Sequence, residues 1–162
     1  MAANGMSTEN LVVYFDASCP LCKAEMLAIK AHDHADCIEL RDCSAPGFSD
    51  ADAERAQVSR SAMMQLIHAR TADQRWLIGV DVFVEVYRRV GMTSVANFWS
   101  HPWLSPLLRK YYPFIARHRM LLSRLGFNAP YGWLVHWAAK RAAKRSAKCK
   151  NAVCELPTAD DR

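Results

Sequence analysis

The chain has 162 residues, 51% of them hydrophobic, and a formal net charge of +5. That suits one compact domain with an extension, and the charge is too modest to point to a specific nucleic-acid partner. No run approaches the roughly 18–20 apolar residues of a membrane span. The opening residues Met1–Asn10 carry no basic region and no apolar core, so no secretory signal is expected and the expected compartment is the cytosol. In that reducing setting a close pair among the six cysteines reads as catalytic or metal-binding sooner than as a structural bridge.

Residues 1–9 are polar and aperiodic and are expected to be disordered. Leu11-Val12-Val13-Tyr14-Phe15 is a continuous β-branched and aromatic run, the pattern of a strand buried on both faces. Pro20 then sits where a helix can begin. Apolar residues recur at helical spacing from Leu21 to about Ala31–His34. Cys37–Leu40 reads as a second strand and Ser44–Gly47 as a turn. Ser49 followed by Asp52 resembles an N-cap for a short helix through about Val58. Met63–His68 suits a third strand, Thr71–Gln74 a hairpin turn, and Arg75–Ile78 a fourth strand. Gly79 ends it, and Asp81–Val90 has helical periodicity with Val82, Phe83, Val86 and Val90 facing inward.

The resulting order, β-α-β-α-β-β-α, is α/β with the layout of a thioredoxin-like sheet. That domain is expected over residues 10–92. A helical extension packed on it is expected over 93–130, broken at Pro102, Pro106, Pro113 and Pro130. Residues 131–150 read as a basic amphipathic helix, and 151–162 as a flexible tail.

Cys19-Pro20-Leu21-Cys22 falls at the junction of the first strand and first helix. Unpaired N–H groups and the positive end of the helix dipole favour a thiolate there. Cys19, at the cap, gains most and becomes the candidate nucleophile. Cys22, a turn further on, is expected to be the more shielded and to resolve the mixed disulfide. Pro20 stiffens the pair and borders the substrate. The same CxxC spacing is also half of a zinc site, for which Cys37, Cys43, Cys149, Cys154, His32 and His34 are the remaining ligand candidates. No second CxxC accompanies it, so no metal and no cofactor are assigned.

Tyr14 to Cys22, with Asp16, Cys19 and Cys22 in place, resembles the signature of the DCC family of thiol–disulfide oxidoreductases. Gly79–Phe83, Arg88 through Leu108, and Tyr111–Arg119 resemble its later blocks, so the likeness spans about residues 11–125. It implies a thioredoxin-like fold and dithiol–disulfide exchange. Two departures stand out. Ala17 replaces a common Gly, and the residues before the expected third strand, Arg60-Ser61-Ala62, lack the proline that thioredoxins place there. The substrate groove must therefore be built differently, or be poorer.

Asp16 has two readings: a carboxylate that moves a proton for Cys22, or a cap of the turn and helix start. Gly79 and Asp81 are candidates for substrate binding near the cysteines, as the corresponding loop is in glutaredoxins; the plainer reading is a strand-end glycine and a helix-start carboxylate. Cys37 reads as a small core residue. The aromatic run Trp99, Trp103, Tyr111, Tyr112 and Phe114 is expected to pack the extension onto the domain. The expected partners are a disulfide-containing protein or a small thiol such as glutathione. Peripheral contact with a membrane is a further expectation for residues 131–150, where Trp133 and Trp137 precede six basic residues between Lys140 and Lys150. The competing function is a redox-inert thioredoxin-like module that docks through that helix.

Overall fold

The computed structural model describes residues 10–124. The expectations for residues 1–9, 125–130, 131–150 and 151–162 lie outside the described residues. The elements are β1 (Leu11–Phe15), α1 (Pro20–Lys30), β2 (Ile38–Asp42), α2 (Ala51–Arg55), α3 (Arg60–Gln65), β3 (His68–Arg70), β4 (Trp76–Ile78), α4 (Val80–Arg89), α5 (Thr93–Ser100) and α6 (Ser105–Arg124).

The sheet has four strands in the order β2-β1-β3-β4. β1 and β2 are parallel, joined across α1; β3 runs antiparallel to both β1 and β4. This is the mixed sheet of a thioredoxin-like fold, with β1 at its centre. All five β1 residues are buried, and their alternation divides the core. Leu11, Val13 and Phe15 pack with Met26 and Ile29 of α1 and with Val82, Phe83 and Val86 of α4. Val12 and Tyr14 face the other way, onto Cys43, Ala53 and Met63. The Tyr14 hydroxyl donates to buried Asp50 at 3.0 Å, and its ring stacks on Trp76.

Three expectations need correction. Met63–Gln65 is the end of helix α3, and β3 starts only at His68. Ser59 caps that helix, its Oγ accepting the Ala62 N–H; a short apolar run such as Met63–His68 has no periodicity with which to tell strand from helix. The N-cap of α2 is Asp50, whose Oδ1 accepts from Asp52 and Ala53, while the Ser49 hydroxyl reaches Glu54. Pro113 does not break the extension but lies inside α6. One missing N–H is tolerated there because Tyr112 and Ala116, on either side, pack inward. No helix among the described residues is long and apolar enough to cross a membrane.

Candidate active site

The end of β1 delivers the chain into α1 through a turn that Asp16 organises. Asp16 Oδ1 accepts the Ser18 N–H at 3.0 Å and the Ser18 hydroxyl at 2.5 Å. Its carbonyl accepts the Cys19 N–H, and the Ala17 N–H donates to Asp42. Ala17 does not adopt a positive φ, so this turn accommodates its Cβ. Cys19 is then the N-cap of α1, with Pro20 exposed in the first turn. The capping group is sulfur: the Cys22 N–H donates to Cys19 Sγ at 3.3 Å.

That arrangement sets the two thiols apart. Cys19 is lowered to about 6, chiefly by a hydrogen bond from the Cys22 thiol, with the Cys22 N–H, the nearby Arg119 charge and the Leu21 N–H adding to it against the cost of burial. Cys22 is raised, because its proton is held by Cys19 and because it is buried near a negative sulfur and near Glu25. One proton between two sulfurs favours the thiolate at the cap.

The expected order of shielding is reversed. Cys19 is fully buried, whereas Cys22 is half-buried and lines an adjoining recess. The Cys19 sulfur is folded over the helix end, where it accepts the Cys22 N–H, while Cys22, one turn along the same face with its thiol toward Cys19, keeps a side open to the recess.

The recess encloses about 200 Å³. Its walls are largely apolar, including Phe15, Met63, Ile67, Phe83 and Trp99, and its polar groups include Cys22, Asp16, Glu25, Tyr112 and Arg119. Arg119 comes from α6. Its guanidinium meets Asp16 Oδ2 at 2.5 Å and also donates to the carbonyls of Met64 and, at 3.3 Å, Gln65. It thus ties the turn before the cysteines to the backbone leading into β3. No proline stands in that stretch, Leu66-Ile67, and an arginine clamp from the extension fixes it instead.

Of the two readings of Asp16, the hydrogen bonds of the capping role are present, and its other oxygen is engaged by Arg119. Glu25 is the carboxylate whose charge acts on both Cys22 and Tyr112. It follows Cys22 by three residues, lines the same recess, and accepts from the Tyr87 hydroxyl at 3.3 Å. Glu25 and Arg119 were not legible as site residues. The Cys22–Glu25 spacing was a local signal for the first, and Arg119 closes the Tyr111–Arg119 block that carries the family resemblance.

Gly79 and Asp81 are tied to α6 and are absent from the recess wall. Asp81 forms an exposed pair with Arg109 at 2.6 Å. Gly79 caps α4 with φ 63° and ψ −119°, and a Cβ there would lie 3.1 Å from the Tyr112 ring. Both features demand glycine. Gly79→Ala is expected to destabilise the protein by about 1–3 kcal/mol, read from urea unfolding, and to disturb Tyr112 in the recess wall.

The aromatic run splits. Trp99 and Tyr112 pack on Phe83 at 5.0 and 5.6 Å between ring centres. Trp103, Tyr111 and Phe114, expected to pack as well, are exposed, because they project from the side of α6 opposite Tyr112 and Ala116 or from the turn before it. Cys37 is buried beside Asp33, and Cys43 is buried with its thiol pushed up to about 12 by desolvation. Neither joins Cys19 and Cys22. Among the described residues no three His, Cys, Asp or Glu side chains gather in a metal-ligating arrangement.

Set against protein-family models, the chain matches that of the DCC1-like thiol–disulfide oxidoreductases over residues 13–125. The chain belongs to that family. Neither curated proteins nor solved structures gave a match. The family match covers the sheet except for Leu11 and Val12, and all of α1 and α6, so the helix that supplies Arg119 lies within the family unit as much as the cysteines do. General thiol–disulfide chemistry follows from membership.

Proposed function

We propose that this DCC1-like protein carries out dithiol–disulfide exchange with Cys19 as attacking thiolate and Cys22 as resolving thiol. The observation that carries the reading is the Cys22 N–H donated to Cys19 Sγ at the start of α1. A sulfur so held is ionised near neutral pH and still nucleophilic.

In the forward step the Cys19 thiolate attacks one sulfur of a substrate disulfide. A Cys19–substrate disulfide forms and the other sulfur leaves as a thiolate. Cys22 then gives up its proton and attacks Cys19 Sγ. The Cys19–Cys22 disulfide forms and the second substrate sulfur departs, so that two electrons have passed to the substrate. Glu25, on the same side of α1, is the group placed to accept the Cys22 proton. Asp16 serves by shaping the turn and anchoring Arg119. Pro20 is exposed in the first turn of α1 but, like Gly79 and Asp81, is absent from the recess wall, and its part is to stiffen the pair. A small thiol such as glutathione, or a protein dithiol, returns the electrons. The burial of Cys19 means that a substrate reaches it by way of the Cys22 side, which suits a small disulfide or a narrow peptide segment.

The reading is tested with glutathione disulfide and a disulfide-linked peptide under a thiol reductant. Cys19→Ser is expected to abolish turnover. Cys22→Ser is expected to stop after one half-reaction and to accumulate a mixed disulfide on Cys19, visible by intact mass. Full turnover in Cys19→Ser would refute the assignment, and a mixed disulfide formed on Cys22 in that variant would reverse the roles.

A further inference from the structure

α6 has two faces of different character. Leu108, Tyr112, Ala116 and Arg119 turn inward to the recess. Leu107, Tyr111, Phe114 and Leu121, spaced one turn, one turn and two turns apart, share the outside, and all are exposed. His118 completes this stripe, its ring 4.4 Å from that of Phe114. Trp103, just before the helix, is 88% exposed. So much apolar and aromatic surface on one line is unusual for a face that stays in water.

The charge beside the stripe indicates what covers it. Lys110, Arg117 and Arg124 recur every seven residues along one edge and are all exposed. The helix has no acidic residue at all. Its other two arginines are already engaged, Arg109 by Asp81 and Arg119 by Asp16. A second copy of the chain would bring this basic row against another basic row. In the chain's own continuation, residues 125–154 hold no acidic side chain to meet this row, and the six basic residues between Lys140 and Lys150 would be repelled by it. The complementary surface is anionic. Exposed Trp, Tyr and Phe beside a row of long basic side chains is the composition of a helix lying in a lipid headgroup layer.

We propose that the outer face of α6, from Trp103 to Leu121, docks on an anionic phospholipid surface. The aromatic stripe enters the headgroup layer, and Lys110, Arg117 and Arg124 meet lipid phosphates and carboxylates. Because Arg119 and Tyr112 occupy the opposite face of the same helix, docking leaves the recess turned away from the lipid.

The test is co-sedimentation of the full chain with phosphatidylcholine vesicles, with and without phosphatidylserine. Binding is expected with phosphatidylserine and is expected to weaken with added salt. Trp103→Ser with Phe114→Ser, and separately Lys110→Glu with Arg117→Glu, should each reduce the partition coefficient about tenfold or more. Both double variants should keep the wild-type midpoint in urea unfolding, which separates lost docking from lost folding. Neutralising Lys140, Lys144 and Lys148 in the full chain should leave most of the α6-dependent loss measurable. Equal binding to vesicles without phosphatidylserine, no binding at low salt, or unchanged binding by both double variants would each overturn the proposal. So would a stripe-dependent dimer that forms without lipid.

Discussion

Titration of the reduced protein, followed by thiolate absorbance in the ultraviolet, is expected to show one thiolate appearing with a midpoint near 6. That signal should vanish in Cys19→Ser. In Cys22→Ala it should persist but move upward, because the largest support for the Cys19 thiolate, the hydrogen bond from the Cys22 thiol, is gone while the residue-22 N–H remains. The same groups make stability depend on pH. The unfolded chain ionises both cysteines near 8.5. Between about 6 and 8.5 the unfolded state holds a proton at Cys19 that the folded state has lost, so stability rises with pH and is lost again as pH falls through 6. Above about 8.5 the sign reverses at Cys22: the folded state keeps a proton that the unfolded state releases, and stability falls. The reduced wild type, compared with the Cys19→Ser, Cys22→Ser double variant, should therefore show its greatest relative stability near pH 8.5 in urea unfolding. A difference between the two that does not change from pH 5 to 10 would mean that neither thiol is perturbed by folding.

The strand–helix junction that carries this chemistry was legible because everything in it is local. A buried apolar run, an Asp three residues before a Cys, and a Pro in the next position specify β1, the turn and the start of α1 within ten residues. The order of strands and helices followed from the same kind of reading, apart from α3. The α3–β3 boundary did not, since Met63-Met64-Gln65-Leu66-Ile67 satisfies either conformation, and only Ser59 and the packing of Met63 decide it. The shielding of the two sulfurs was also beyond the sequence: spacing shows which cysteine is nearer the cap, and the fold decides which of the two the solvent reaches. The aromatic residues of α6 show the same limit. Tyr111 and Tyr112 are adjacent and chemically identical, yet one is exposed and the other lines the recess, because a 100° step around a helix separates water from core.

Arg119 lies furthest from what a sequence motif can show, since its partner Asp16 is 103 positions away. Its replacement carries the largest expected effect on stability. The Arg119 side chain is 14% exposed and that of Asp16 5%. Arg119→Met would leave a buried carboxylate facing no cation and free the carbonyls of Met64 and Gln65, at an expected cost of about 3–5 kcal/mol. Asp16→Asn in the same background should restore part of that loss, because the uncompensated charge is then gone. The thiolate should respond differently. Arg119 lowers the Cys19 pKa directly, so its midpoint is expected to rise in Arg119→Met and to stay raised in the double variant. Recovery of stability without recovery of the midpoint would separate the two tasks of Arg119: neutralising Asp16, and holding positive charge near the sulfur. Recovery of both in the double variant would show that Arg119 acts on Cys19 only by screening Asp16. An unchanged midpoint in Arg119→Met would remove α6 from the chemistry and leave it a purely structural brace.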